Sequence, residues 1–223
     1  MRYLNRQKVV VDFNSLAAIT PASRVFGLDR GTPINRYYIE LFLADHAELI
    51  RGRVLEVGDS DYSRRFGGDR VECCEVLHVT ADNPAATIIG DLTDPATLPA
   101  NAMDCFICTQ TFDCIFDVPQ AVRGAHQLLK PGGVLLATMS GIGQISRYDM
   151  ERWGEYWRFT NASATRLFEP LFSGGVEVGS RGNVLAAIAS LQGIAVEELP
   201  DPTLLEVHDD DYQLIVTVVA RKA

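Results

Sequence analysis

The chain has 223 residues, 47% of them hydrophobic and 22% charged, with a formal net charge of −9. That length supports one domain with a full core, and the balance is that of a soluble globular protein. An acidic chain repels phosphate backbones, which excludes nucleic acid as the default partner. No apolar run reaches the roughly 20 residues of a membrane helix, and Met1–Lys8 carries charge without a signal-peptide core behind it. A cytoplasmic protein with no membrane partner is expected.

Residues 1–30 are weakly patterned and read as an N-terminal arm. Thr32-Pro33 then sets a capping hydroxyl before a proline at the first helical position. Ile34, Tyr38, Leu41, Phe42, Leu49 and Ile50 recur at near-helical spacing and predict an amphipathic helix over 34–50, ended by Gly52. Short apolar segments follow at 54–57, 76–79, 87–89, 105–108, 134–139 and 214–219, each a candidate strand. Asp117 can cap a helix through Val118, Val122, Ala125, Leu128 and Leu129, which Pro131-Gly-Gly133 stops, because a residue before proline leaves helical space. The βαβ rhythm predicts a mostly parallel sheet covered on both faces. No repeat or linker divides the chain, so 1–223 reads as a single domain.

Five cysteines include the C-x-x-C pair Cys105 and Cys108. Zinc needs a second ligand pair at similar spacing, and a strand turns these two sulfurs to opposite faces. Buried, reduced thiols are expected and no metal. P-loop, H-E-x-x-H and G-x-S-x-G signatures are absent. His208-Asp-Asp-Asp211 reads as a solvated acidic turn, and His78 and His126, inside apolar runs, as structural histidines.

Two segments carry a family resemblance. Arg53-Val-Leu-Glu-Val-Gly-Asp-Ser-Asp61 is a buried strand ending in acid, apolar residue and glycine; Leu128-Leu-Lys-Pro-Gly-Gly133 closes a helix and opens the strand at 134–139. Together they resemble the first and fifth strands of class I S-adenosylmethionine (SAM)-dependent methyltransferases. That resemblance implies an α/β, Rossmann-like fold with a mostly parallel seven-stranded sheet, an antiparallel last strand at its edge and helices on both faces. Two further segments, Arg30-Gly-Thr-Pro-Ile-Asn-Arg-Tyr-Tyr38 and Trp153-Gly-Glu-Tyr-Trp-Arg-Phe-Thr160, are similar to those of a bacterial group of methyltransferase-domain proteins.

The resemblance also implies a site. Ligands of open parallel sheets sit beyond the carboxyl ends of the strands. Glu56 and Gly58 would hold an ammonium or shape the loop against the cofactor. The family's E-x-G-x-G-x-G is here Glu56-Val-Gly58-Asp-Ser60-Asp-Tyr62, with only the first glycine kept. Asp59 and Asp61 meet the cationic methionine end of SAM or are solvated loop charges. Thr80 stands where the second strand's ribose-binding acid belongs, so Asp82 takes that role or forms an Asp-Asn-Pro turn. Asp91 would accept from the adenine amino group with Leu92 packing on the ring. Thr109 and Gln110 would line the methyl end, and Phe112 would pack on adenine or in the core. Tyr37 or Tyr38 would touch the cofactor.

Residues 141–168, rich in aromatics and cations, read as an insertion over the acceptor pocket. There Trp153, Trp157 and Arg158 would bind substrate, or the tryptophans would pack as a core helix face. Tyr148 and Asp149 are the candidate general bases. The function implied is SAM-dependent transfer of a methyl group to a small-molecule acceptor, O-methylation of a sugar or natural-product-like compound being favoured. A homodimer is compatible with it. The altered glycine loop and displaced acid motivate an alternative: a catalytically silent partner protein on the same fold.

Overall fold

A computed structural model describes residues 19–223. Residues 1–18 of the expected arm lie outside the described residues. The apolar runs become strands because a sheet covered on both faces buries every side chain of a central strand. Parallel β1 (Gly52–Val57), β2 (Val71–His78), β3 (Ile88–Ile89), β4 (Met103–Thr109) and β5 (Leu129–Ser140) are joined by β6 (Val176–Arg181) and β7 (Ile215–Arg221). The strand order is β3-β2-β1-β4-β5-β7-β6. Strand β7 is antiparallel to both neighbours. It is therefore not the edge expected of the last strand: β6, which no candidate segment covered, lies outside it.

The helices are α1 (Ile34–Asp45), α2 (Val118–Leu128), α3 (Arg147–Arg152), α4 (Asn161–Phe168) and α5 (Val184–Gln192). One face of the sheet, with Leu55, Phe106 and Leu135, packs on α2 and α4 through Val122, Ala125, Leu128 and Phe168. The other face, with Val54, Cys105, Ile107 and Leu136, packs on α1 through Ile39, Phe42 and Leu43. Each such Leu, Ile or Phe contributes about 1.5–3 kcal/mol when fully buried. Cys105 and Cys108 do face opposite sides, both buried. Cys73, by contrast, is exposed, and Cys74 and Cys114 are only half-buried.

Two turn expectations change. Helix α1 ends at Asp45, and a short 3₁₀ turn, Ala47–Leu49, completes the segment. Pro33 is the residue before the helix rather than its first, and the Thr32 hydroxyl does not cap it. Instead Thr32 donates from N–H and hydroxyl to Glu197 at 2.8 and 2.7 Å. Arg30 forks onto Glu198 at 2.7 and 2.9 Å and reaches the Gly193 carbonyl at 2.7 Å. The Arg-Gly-Thr-Pro segment is thus a clasp between the start of α1 and the end of α5. Likewise Pro131-Gly-Gly133, expected as the turn that stops the helix, lies beyond the helix end at Leu128 and within β5. It forms an irregularity inside β5, where the ladder with β4 slips between the Met103–Leu129 and Cys105–Val134 pairs and Gly132 takes φ +80°.

Candidate functional site

At the carboxyl end of β1 the chain turns at Gly58, whose φ of +85° L side chains rarely adopt. A Cβ there would meet nothing within 4 Å, so the turn faces open space. Asn83 fixes it by donating to the Gly58 carbonyl at 2.7 Å. Buried Glu56 accepts from the Ser63 N–H and hydroxyl, both at 2.8 Å, and from the Tyr62 N–H at 3.3 Å. Its carboxylate therefore caps the helical turn Ser63–Gly67 and orients the loop. Burial outweighs those bonds and pushes Glu56 up to about 7. Tyr62, in the place of the third glycine, packs with Phe66 against the α1 side of the core, ring centroids 5.9 Å apart.

Strand β4 ends in Thr109, and Gln110 follows at φ +49°. Such a conformation is uncommon for a residue other than glycine. It is held by the Gln110 N–H on the Thr138 carbonyl at 2.8 Å and by side-chain bonds to Thr138 and Ser140 of β5. Asp113 comes next, only 2% exposed. One carboxylate oxygen accepts the Ser140 N–H at 2.9 Å, and its other oxygen has no partner among the described residues. Burial pushes Asp113 up to about 7 against that bond and the nearby Arg158 charge. Cys114 beside it is pushed up to about 12 by burial and the Asp149 and Asp113 charges, which keeps it a thiol.

The segment after β5 folds back over these tips. Ser146 caps α3, accepting the Asp149 N–H at 3.2 Å. The Asp113 carbonyl accepts from Tyr156 N–H at 2.8 Å, and the Trp157 indole donates to the Ile115 and Phe116 carbonyls at 3.1 and 3.2 Å. Arg158 pairs with Glu155 at 2.6 Å and donates to the Gln144 carbonyl at 2.9 Å. Between this lid, the strand tips and α1 lies a cavity of about 820 Å³. Its polar walls are Glu56, Asp59 and Asp61 from the β1 side, Thr109, Gln110 and Asp113 from the β4 side, and Gln144, Ser146, Asp149 and Glu155 from the lid. Arg36 of α1 and Arg64 also line it. Volume and lining suit a small-molecule site.

The cavity thus brings together Glu56, Asp59, Asp61, Thr109, Gln110 and Asp149 of the expected residues, around the Gly58 turn. Others lie elsewhere. Tyr148 is 63% exposed on the outer side of α3, with the Arg152 guanidinium 3.6 Å over its ring, so it faces away from the cavity that Asp149 lines. Trp157 and Arg158 hold the lid to the chain instead of lining it. Trp153 reaches across to the tip of β2, edge-on to His78 at 5.5 Å between centroids. Asp82 is 77% exposed and bonded to the Thr80 hydroxyl, as an Asp-Asn-Pro turn has it. One oxygen of Asp91 accepts from the Thr93 N–H and hydroxyl at 2.7 and 2.8 Å, closing a local turn outside the cavity. Leu92 is 4% exposed in the α2-side core, so its side chain has no free face for a ring. Phe112 is core as well, and Tyr38 is buried with its hydroxyl on the Leu205 carbonyl at 2.8 Å. Asp113, Gln144 and Glu155 went unnoticed. An acid set between Phe112 and Cys114 just past an apolar strand was the one available signal.

Residues 64–137 match a family model described as a methyltransferase domain. No curated protein matches the sequence. In structure the chain is similar to a SAM-dependent methyltransferase of Archaeoglobus fulgidus, with TM-score 0.55 and 9% identity over 84% of this chain and 94% of that one. It is similar as well to a possible histamine N-methyltransferase of Thermotoga maritima, with TM-score 0.55 and 14% identity over 85% and 92%. The cyclase SpnF aligns with TM-score 0.53 and 19% identity over 94% and 91%. The likeness in structure is one of fold, shared with SAM-dependent methyltransferases, and the family match to a methyltransferase domain covers residues 64–137 of the chain.

Proposed function

We propose that the cavity between the β1 and β4 tips and the lid is the transfer chamber, in which a methyl group passes to a small, hydroxyl-bearing acceptor such as a sugar or natural-product-like compound. The observation that carries this reading is the lining itself. Carboxylates of the β1 loop stand opposite polar lid residues across a cavity large enough for the methionine end of SAM and part of an acceptor. The residues fit that cofactor: the Gly58 turn leaves open space beside it, Asp59 and Asp61 suit an ammonium, and Arg36 and Arg64 suit a carboxylate. When bound, SAM supplies a methyl group already activated by its sulfonium.

The protein's share is positioning and exclusion of water. Glu56 shapes the loop; the strand tips and the lid fix the acceptor, with Asp149 within the chamber. The adenosine end falls to the tips of β2 and β3, where the second oxygen of Asp91 makes no hydrogen bond among the described residues. The chain would then act as a single domain, with 141–168 supplying the acceptor wall.

Calorimetric titration with SAM and with S-adenosylhomocysteine, on the intact chain and on Asp61→Ala and Asp91→Ala, tests the reading. Micromolar binding weakened in both variants supports it. Absence of binding to the intact chain would sink it and favour the silent partner protein. Binding without methyl transfer to any hydroxyl acceptor would instead point to other chemistry on this fold, which a cyclase shares.

A further inference from the structure

We infer that Asp113 is the proton acceptor of the transfer step and that Gln144 orients the acceptor beside it, which fits the site to a neutral or cationic hydroxyl- or amine-bearing compound and not to an anion. This rests on the methyl-transfer reading above. Two residues that line the chamber each carry a buried side-chain atom without a partner among the described residues: a carboxylate oxygen of Asp113 and the amide nitrogen of Gln144. Native proteins seldom leave such atoms unsatisfied, and those that do commonly reserve them for a ligand or a catalytic role.

The two atoms are complementary in kind. One accepts hydrogen bonds and the other donates them. They belong to different elements, the turn after β4 and the lid, both of which line the chamber. A hydroxyl meets both demands at once, donating to Asp113 and accepting from Gln144. A carboxylate or phosphate would set its charge against that of Asp113, Glu155 and Asp149, while the Arg36, Arg64 and Arg65 cations that also line the chamber fall, on the reading above, to the cofactor's carboxylate.

The groups facing Asp113 are few. From the lid come the Arg158 charge and the opposing Glu155, from β5 the Ser140 N–H, and from β4 the buried Cys108 thiol. Cys114 alongside stays protonated. Burial holds Asp113 near neutrality, the range in which a general base is both available and strong enough to act. In the step itself, a lone pair of the acceptor oxygen or nitrogen forms the new bond to the methyl carbon. The carbon–sulfur electrons leave with sulfur as a neutral thioether, and the proton displaced from the acceptor goes to the free oxygen of Asp113, then to solvent.

A structural duty of Asp113 must be separated from this one, because it also holds Ser140, Tyr156 and Trp157 through its other oxygen and its carbonyl. Asp113→Asn keeps both attachments and removes the base. The test uses the full chain saturated with S-adenosylhomocysteine, with catechol as neutral probe and benzoate as anionic probe, read by ligand-observed NMR between pH 5 and 8. Catechol is expected to bind the intact chain, more tightly as pH rises through about 7, and benzoate to bind at least tenfold more weakly. Asp113→Asn should flatten the pH profile and narrow the gap between the probes, and Gln144→Leu should weaken catechol while keeping the profile. An unchanged catechol profile in Asp113→Asn, a preference for benzoate, or no catechol binding overturns the inference. Should Asp113→Asn lose S-adenosylhomocysteine, the Gln144→Leu result decides instead. Failure of the intact chain to bind S-adenosylhomocysteine would fall on the methyl-transfer reading itself.

Discussion

At the tips of β1 and β4, polar residues line a cavity; at the tips of β2 and β3, the acidic side chains turn to their own loops. Asp113 and Gln144 line the cavity, and each keeps one buried side-chain atom without a partner among the described residues. Asp91 and Asp82 each give one carboxylate oxygen to Thr93 and Thr80 in turns outside the cavity. The contrast separates two ways of making a ligand site. The first half is preorganised, with donors and acceptors locked by Ser140, Arg158 and the lid backbone before anything binds. The second half is a set of turns whose carboxylates must be shared with a ligand. Preorganised groups are the ones on which catalysis depends, while turn residues contribute affinity.

The largest effect should follow from Asp113. In a transfer assay with any accepted hydroxyl compound, Asp113→Asn is expected to lower kcat by about 10²–10⁴-fold, the usual worth of a positioned general base. Its affinity for S-adenosylhomocysteine should stay within about threefold of the intact chain, since neither backbone attachment is lost. Loss of affinity equal to the loss in kcat would assign Asp113 to holding the lid and erase the contrast between the halves.

Burial in the first half has a cost that appears as pH-dependent stability. Asp113 and Glu56 are both raised to about 7 in the folded chain, from ordinary values of 3.8 and 4.5. A carboxyl raised on folding binds more protons folded than unfolded between its two values. Its stabilising contribution is therefore complete below the unfolded value and is lost as pH rises through the folded one. Denaturant unfolding of the free chain at pH 5 and pH 8 should show Asp113→Asn gaining stability relative to the intact chain as pH rises, on the order of 2–4 kcal/mol across that window. A difference independent of pH would mean that water reaches Asp113 freely.

The second half predicts a smaller change. Asp91→Ala should weaken S-adenosylhomocysteine by about 10–100-fold, the range of a hydrogen bond to a charged group. Asp82→Ala, at an exposed turn, should change it by less than about threefold. Equal losses would place the ribose on Asp82 and restore the arrangement that the resemblance implied.

How much of this was legible follows the range of the interactions involved. The parallel strands stood out as apolar runs because burial on both faces leaves no polar positions. Glu56, Gly58 and Asp91 stood out because a strand end with an acid is a local pattern. Strand β6 carries Glu177 at an exposed and Ser180 at a half-buried position and was masked by them. The insertion of β7 between β5 and β6 depends on pairing Thr138 with Thr217, far apart in sequence, and no local feature encodes it. Asp113 was hidden because its importance comes from the lid laid over it, from Tyr156 and Arg158, more than 40 residues on in the chain. The aromatic lid was visible, but not the direction of its rings: Trp157 pins the lid down, and Trp153 points to β2.

Trp153 makes the lid's aromatic contact with the second half among the described residues, and its removal should show in rates more than in affinity. An edge-on aromatic contact with His78 is worth about 0.5–1.5 kcal/mol beyond burial. If the indole is a latch that ties the lid to β2, Trp153→Ala loosens the closed state and leaves the chamber's groups in place. Stopped-flow binding of S-adenosylhomocysteine should then show both association and dissociation accelerated, with Kd changed by less than about fivefold. A tenfold or larger loss with an unchanged association rate would mean that the indole packs on the bound nucleoside. The second half would then own a preorganised surface after all, built from the lid instead of from its own strands.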